Sequence, residues 1–265
     1  MDRKQLQELC QRHSELLKER RSWEQDWKTL ARYFLPRKCR FIEAGEKSNE
    51  GGLRSGSLDS TGIYAMRDLA AGLQGGMTSP ARPWFRLALE DKNLEKSRAV
   101  HLWLDKVEET MRSVFRRSNF YTAVHQLYGE LGAFGTGFIF ALADKGRGIR
   151  FHPLTVGEYC LDTNEYNLVD TCFRSIDMTL RQMVRRFGLE NLPGQLKNMW
   201  ERQTNWSERF QVVHAVYPRN DRDPDKLDDK NMAFASVYYM DGSGSGGSRG
   251  ASGNAAYPHL LSEGG

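Results

Sequence analysis

Residues 131–154 read LGAFGTGFIFALADKGRGIRFHPL, and inside this stretch the hydrophobic period changes. Upstream of it, Val124, Leu127, Tyr128 and Leu131 recur at steps of three and four, the spacing of one face of a helix. Downstream, FIFALAD and IRFHPL are short apolar-rich runs separated by DKGRG, a charged turn with two glycines, and they read as a β-hairpin. More strands follow at Glu158–Asp162 and Leu168–Ile176, joined by DTNEYN, and again at RFQVVHAVYPR (209–219) and MAFASVYYM (232–240). Thr179 with Gln182 three residues on forms a capping box for a short helix ending at Gly188, and Pro193 opens another through Trp200. Helices first and strands later indicate an α+β class in which helical segments pack on a mostly antiparallel sheet.

Working back from the switch, Ser97 starts a helix with Val100, Leu104, Val107, Met111, Val114 and Phe115 on one stripe, and Ser118-Asn119 breaks it. Before that, Asp59 or Ser60 caps a helix whose apolar face is Ile63, Met66, Leu69, Ala70 and Leu73, closed by Gly75 and Gly76. MTSPARPWFRLAL follows, where two prolines set an extended path and deliver Trp84 to Leu87 as a strand. If Trp84 and Phe85 are buried there, Trp84→Ala should cost about 3 to 5 kcal/mol. At the N-terminus, Leu6, Leu9, His13, Leu16, Arg20, Trp23, Trp27, Leu30 and Phe34 form a heptad seam. His13 and Arg20 interrupt it, which favours a helix packed on its own domain over a free coiled coil, and Pro36 ends the helix.

The expected organisation is an amphipathic helix over 1–36, a surface loop over 37–57, an α+β domain over 58–240, a Gly/Ser-rich flexible stretch over 241–254, and a strand-like end of a truncated chain over 255–265. MAFASVYYM and AAYPHLL, on either side of the Gly/Ser stretch, should pair as an antiparallel hairpin. No apolar run approaches the roughly 18 to 20 residues of a membrane span, and the polar N-terminus lacks a signal-like apolar stretch, so a soluble protein made in the cytoplasm is expected. The net charge is +4, and residues 1–40 carry eleven Lys/Arg against six Asp/Glu, more than the whole-chain excess. A strongly basic nucleic-acid face is not indicated.

The pattern carries no recognisable catalytic or metal-binding constellation. Cys10, Cys39, Cys160 and Cys172 are far apart with no CxxC pair, so reduced thiols are expected rather than a zinc knuckle or disulfide framework. Asp221, Asp223, Asp225, Asp228 and Asp229 superficially suggest calcium, but Lys226 and Met232 stand where an EF-hand needs Gly and Glu. His13, His101, His125, His152, His214 and His259 lack metal-ligand spacing and read as surface or half-buried residues. There is no GxSxG elbow. GAFGTG precedes a strand and lacks the GK[ST] ending of a phosphate loop. RPWFR and RSWEQDWK mix aromatic and basic residues, yet their spacing suits core packing better than base stacking. No catalytic residue, cofactor or metal is expected.

The stretch LDSTGIYAMRDLAAGLQGGMTSPARPWFRLAL, residues 58–89, resembles the portal proteins of short-tailed bacteriophages, in which a DST-type helix start, an LAAGL-type helix end and a proline-flanked RPWF follow one another. Leu58, Asp59, Ser60, Thr61, Leu69, Ala70, Gly72, Leu73, Pro80, Arg82, Pro83, Trp84 and Phe85 carry the motif as packing devices. W…LARYFLP (27–36), LGAFGTG (131–137) and HAVYPR (214–219) fit in the same order. The resemblance implies a portal wing-like domain, with stem, clip and crown elsewhere. It implies a non-enzymatic, head-to-tail connector subunit that forms a homo-oligomer ring, a dodecamer, at one capsid vertex. Its implied partners are terminase, capsid and scaffolding proteins, tail adaptor proteins, and double-stranded DNA moving through the channel without sequence preference. It implies a place in the virion after assembly in the host cytoplasm, and no membrane partner. Two rival readings are another phage head-tail adaptor or assembly component, and a DNA-processing enzyme. The first predicts helical assembly without an α+β wing, the second a metal-binding carboxylate cluster.

Overall fold

The computed structural model describes residues 3–42, 59–91, 97–144, 146, 148–203, 206–219, 222–223, 225–226, 231–240 and 259–261. Helix α1 spans Arg3–Phe34, followed by a 3-10 turn at Pro36–Lys38 and a short α2 at Cys39–Ile42. Then come α3 (Thr61–Met77), α4 (Arg98–Arg117) and α5 (Phe120–Phe134). The strands are β1 (Phe138–Asp144), β2 (Gly148–Leu154), β3 (Tyr159–Thr163) and β4 (Val169–Thr179). After them run α6 (Leu180–Phe187), α7 (Gly194–Glu201), β5 (Arg209–Pro218), β6 (Phe234–Met240) and β7 (His259–Leu261). This is the expected α+β class. The chain divides into two compact units, Met1–Gln25 with Gly157–Gly265, and Asp26–Val156.

The first unit is built on an antiparallel sheet ordered β3-β4-β5-β6-β7. Alternation sorts its side chains onto two faces. Phe173, Val213, Ala215 and Tyr239 lie in one cluster with Leu6, Leu9 and Leu16 of α1, whereas Met178, Phe210, Val212 and Tyr238 lie in another with Leu180, Met183, Phe187 and Leu196 of α6 and α7. The irregular seam of α1 now has a reason: it faces a sheet, not a second helix. His13 stacks on Phe173 at 5.0 Å between ring centroids, and its Nδ1 lies 3.1 Å from the Tyr239 hydroxyl. Arg20 pairs with Glu24 at 3.2 Å and donates to the Tyr159 carbonyl, also at 3.2 Å. The capping box at Thr179 is complete, with Gln182 N–H donating to Thr179 Oγ1 at 3.3 Å and Thr179 N–H donating to Gln182 Oε1 at 2.9 Å. β6 and β7 pair antiparallel, Tyr239 opposite Leu260, as expected of the two segments flanking the Gly/Ser stretch; residues 241–258 lie outside the described residues.

The second unit packs α3 against α5 through Ala70, Val124 and Tyr128, with Leu73, Phe120 and Ile139 around them. Gly132 makes this approach possible: a Cβ there would lie 2.9 Å from Leu69 Cδ2 and 3.0 Å from Met66 Sδ. Gly132→Val should therefore cost about 1 to 3 kcal/mol, read as a lower urea midpoint with unchanged slope, because the branched side chain must displace both neighbours. Gly135 ends α5 at φ +72, a left-handed position that glycine adopts without strain, so GAFGTG is a helix end that feeds β1.

Three local expectations are corrected. α3 does not close at Gly75 and Gly76 but runs through them to Met77, because Arg82 donates to both of their carbonyls, at 3.0 and 3.1 Å. Residues 39–42 are a helical turn, not loop, since Cys39 and Ile42 are buried anchors. Residues 84–87 are extended but are no strand, because no ladder partner lies beside them among the described residues.

Candidate functional site

The motif over residues 59–85 sits wholly in the second unit, and Leu58 lies outside the described residues. Asp59 Oδ1 accepts the Thr61 N–H at 3.0 Å, while Ser60 stands at the N-cap position without a side-chain bond. Asp59 is thus the residue that serves the helix start. Ala70 is buried and Leu73 packs beside it, but Leu69 is 46% exposed and Gly72 faces open space. Pro80 and Pro83 are exposed, in and beyond the turn that carries Arg82 back to the end of α3.

Trp84 and Phe85 were expected to be buried and are half-buried. Trp84 stacks on Phe120 at 5.8 Å with rings within 5° of parallel, and Phe85 meets Phe115 edge-on at 6.1 Å. Phe151 of β2 closes the group against Phe120 at 5.1 Å. Because the residue is only half-buried, Trp84→Ala should cost about 2 kcal/mol, less than full burial would give. Thermal melts that show a loss above that range would mean the ring anchors more than this aromatic group.

Two buried polar groups were not foreseen. In the second unit the Glu130 carboxylate, 1% exposed, accepts at Oε1 from Lys38 Nζ at 3.1 Å and from Thr155 Oγ1 at 3.0 Å. Burial raises its pKa above the ordinary value, and Lys38 only partly opposes this. In the first unit Arg174 Nε donates to His214 Nδ1 at 2.8 Å, and His214 Nε2 lies 2.8 Å from Ser236 Oγ. His214 stacks on Tyr238 at 4.1 Å, and Arg186 donates to the Tyr238 hydroxyl at 2.6 Å. His13 and His214 are buried, against the expectation of surface or half-buried histidines. The flanking apolar residues of VVHAV were the available sign that position 214 lies inside a strand.

A serine 2.8 Å from a histidine resembles a nucleophile and its base. The protons stand the wrong way round for that chemistry. His214 Nδ1 is occupied as an acceptor, so Nε2 carries the hydrogen and donates to Ser236. Burial first, then Arg174 and Arg186, push the His214 pKa down to about 3, so the ring cannot take a proton from a hydroxyl near neutral pH. Among the described residues no three His, Cys, Asp or Glu are grouped to hold a metal, and no helix is long and apolar enough to cross a membrane. Asp223 pairs with Lys226 at 3.1 Å, while Asp221, Asp228 and Asp229 fall outside the described residues.

The family described as "Bacteriophage head to tail connecting protein" matches residues 6–260, nearly the full length of both units. The chain belongs to this head-to-tail connecting family. It is 43% identical over 235 residues to a probable portal protein of Bordetella phage BPP-1, covering 88% of this chain and 42% of that protein. It is 38% identical over 236 residues to the portal protein of Salmonella phage epsilon15, again covering 88% of this chain and 42% of the relative. The chain therefore spans less than half the length of these two relatives, and the sequence resemblance to portal proteins is upheld over most of its own length.

Proposed function

We propose that the chain is part of a portal subunit, a structural component of the ring through which phage DNA enters and leaves the capsid. The match of residues 6–260 to the head-to-tail connecting family carries this reading, and two relatives named as portal proteins support it. In this reading residues 58–240 contribute a wing-like part, and the motif from Asp59 to Phe85 organises it. The subunit closes a homo-oligomer ring, a dodecamer, at a capsid vertex of the virion. Terminase docks on it during packaging, capsid and scaffolding proteins surround it during assembly, and tail adaptors attach afterwards. A net charge of only +4 suits a channel through which DNA slides, since each neutralised phosphate would add affinity and drag. The subunit performs no catalysis of its own: the Ser236–His214 pair is wrongly protonated, and ATP hydrolysis falls to a separate motor.

Electron-microscopy class averages of the purified full-length protein test the proposal. Rings with a central channel are expected; helical assemblies or monomers at every concentration would defeat it. Magnesium-dependent DNA cleavage abolished by a single acidic substitution would favour the enzyme reading instead.

A further inference from the structure

The hairpin of β1 and β2 has two unequal edges. The Asn119 side chain donates to the Phe151 carbonyl at 2.6 Å and accepts the Phe151 N–H at 2.9 Å. The backbone groups of Phe151 therefore point away from β1. In an antiparallel ladder the residues two positions away point the same way, as do their cross-strand partners on the opposite edge. Ile149, Phe151 and Pro153 thus face the outer edge of β2, and Ile139, Ala141 and Ala143, their partners, face the outer edge of β1. β2 is closed to further pairing: Asn119 occupies its middle, and Pro153 has no N–H to offer. β1 carries no such guard. Ile139, Ala141 and Ala143 make no backbone bond outward among the described residues.

The same unit holds an extended segment with no ladder partner among the described residues. From Phe85 to Glu90 the side chains alternate, with Phe85, Leu87 and Leu89 half-buried and Arg86, Ala88 and Glu90 exposed. Among the described residues, none of these six makes a hydrogen bond through its backbone. Extended backbone with this alternation is what a paired strand looks like, and an unpaired row of N–H and C=O groups is a template for one. Within one protomer, Phe85 lies in the aromatic group that includes Phe115 and Phe151, which places it by β2, whereas the open edge is that of β1.

We infer that residues 85–90 of one copy add as a third strand to the open β1 edge of a neighbouring copy. The inference rests on the ring reading above, and it names the contact that reading lacks. The pattern is complementary: β1 has Phe138, Phe140 and Leu142 half-buried and Ala141 and Ala143 exposed, so an added strand continues the apolar row with Phe85, Leu87 and Leu89 and the exposed row with Arg86, Ala88 and Glu90. A two-stranded hairpin is marginal alone and gains from a third strand. The two patches differ, so the contact is head-to-tail and propagates from copy to copy, as a closed ring requires.

The test uses the full-length protein, co-expressed as two differently tagged copies, one Ala88→Cys and the other Ala141→Cys, treated with a short bismaleimide after ring assembly. A crosslinked band carrying both tags is expected, with none from either variant alone or from the parent, whose own thiols give the background. In parallel, Ala141→Pro removes an N–H that the hairpin does not use; rings should be lost while the far-ultraviolet spectrum and melting temperature stay close to the parent's. Should Ala141→Pro fail to fold, the crosslink alone decides. Rings that give no two-tag band, or that crosslink equally from one variant alone, overturn the contact and leave the ring reading standing. A parent that forms no rings at all removes both.

Discussion

Acidification from pH 6.5 to pH 4.5 should remove about 2 kcal/mol from the stability of the sheet unit through His214 alone. An unfolded histidine takes up a proton near 6.5, whereas in the folded chain burial and the neighbouring guanidinium groups hold the His214 pKa down to about 3. Between those values the unfolded state binds one more proton than the folded state. Stability is therefore complete above about pH 6.5 and falls as pH drops toward 3. Amide exchange of β4 and β5, followed at several pH values, reports this unit specifically. His214→Gln keeps a donor and an acceptor between Arg174 and Ser236 but cannot titrate in this window. It should be less stable than the parent at pH 7.5 and show a flatter decline in acid. Equal slopes for parent and variant would contradict the assignment.

Lys38→Met should cost the second unit about 3 kcal/mol at pH 8, because it leaves the Glu130 carboxylate buried without its cation. The direction with pH is the reverse of that for His214. Burial raises the Glu130 pKa, so the folded state holds its proton to higher pH than the unfolded chain does. Stability from this group is greatest in acid and is lost as pH rises through the folded pKa. Without Lys38 that pKa moves further up, and the deficit of Lys38→Met should shrink as the pH is lowered toward 5. Adding Glu130→Gln should recover part of the loss at pH 8, since an amide is cheaper to bury than an anion. Thermal melts at the two pH values, with amide exchange of α5 as the local reporter, would show this. A deficit that stays constant with pH would mean that Lys38 acts through packing alone.

Features written in neighbouring residues were legible in the sequence. The hairpin of residues 138–154 and the capping box at Thr179 need only contacts a few positions apart, and both stand as read. Features that depend on distant partners were not. His13 looked like a flaw in a heptad seam because its partner Tyr239 is 226 positions away. Residues 84–87 have the composition of a strand, but a strand exists only with a partner, and composition is silent about that. Gly75 and Gly76 looked like a helix stop, and Arg82, arriving from beyond the turn, let the helix continue. Of the motif residues, Ala70 and Leu73 were legible as core, whereas the exposure of Leu69 and Gly72 was not, since a helix periodicity identifies a face but not how far its neighbours extend.

The first unit is made from two separated stretches, Met1–Gln25 and Gly157–Gly265, with all of the second unit written between them. On a ribosome this separates the birth of α1 from the birth of its cover. Leu6, Leu9 and Leu16 emerge well before the last strand of their cluster, which carries Tyr239. At about 5 to 20 residues per second, the 226 positions between His13 and Tyr239 correspond to a delay of roughly 11 to 45 s. During that time the intervening unit can finish folding, while amphipathic α1 remains without its completed sheet. Nascent chains stalled before residue 239 should thus engage hydrophobic-binding chaperones through their first helix, and release them once β6 has cleared the exit tunnel.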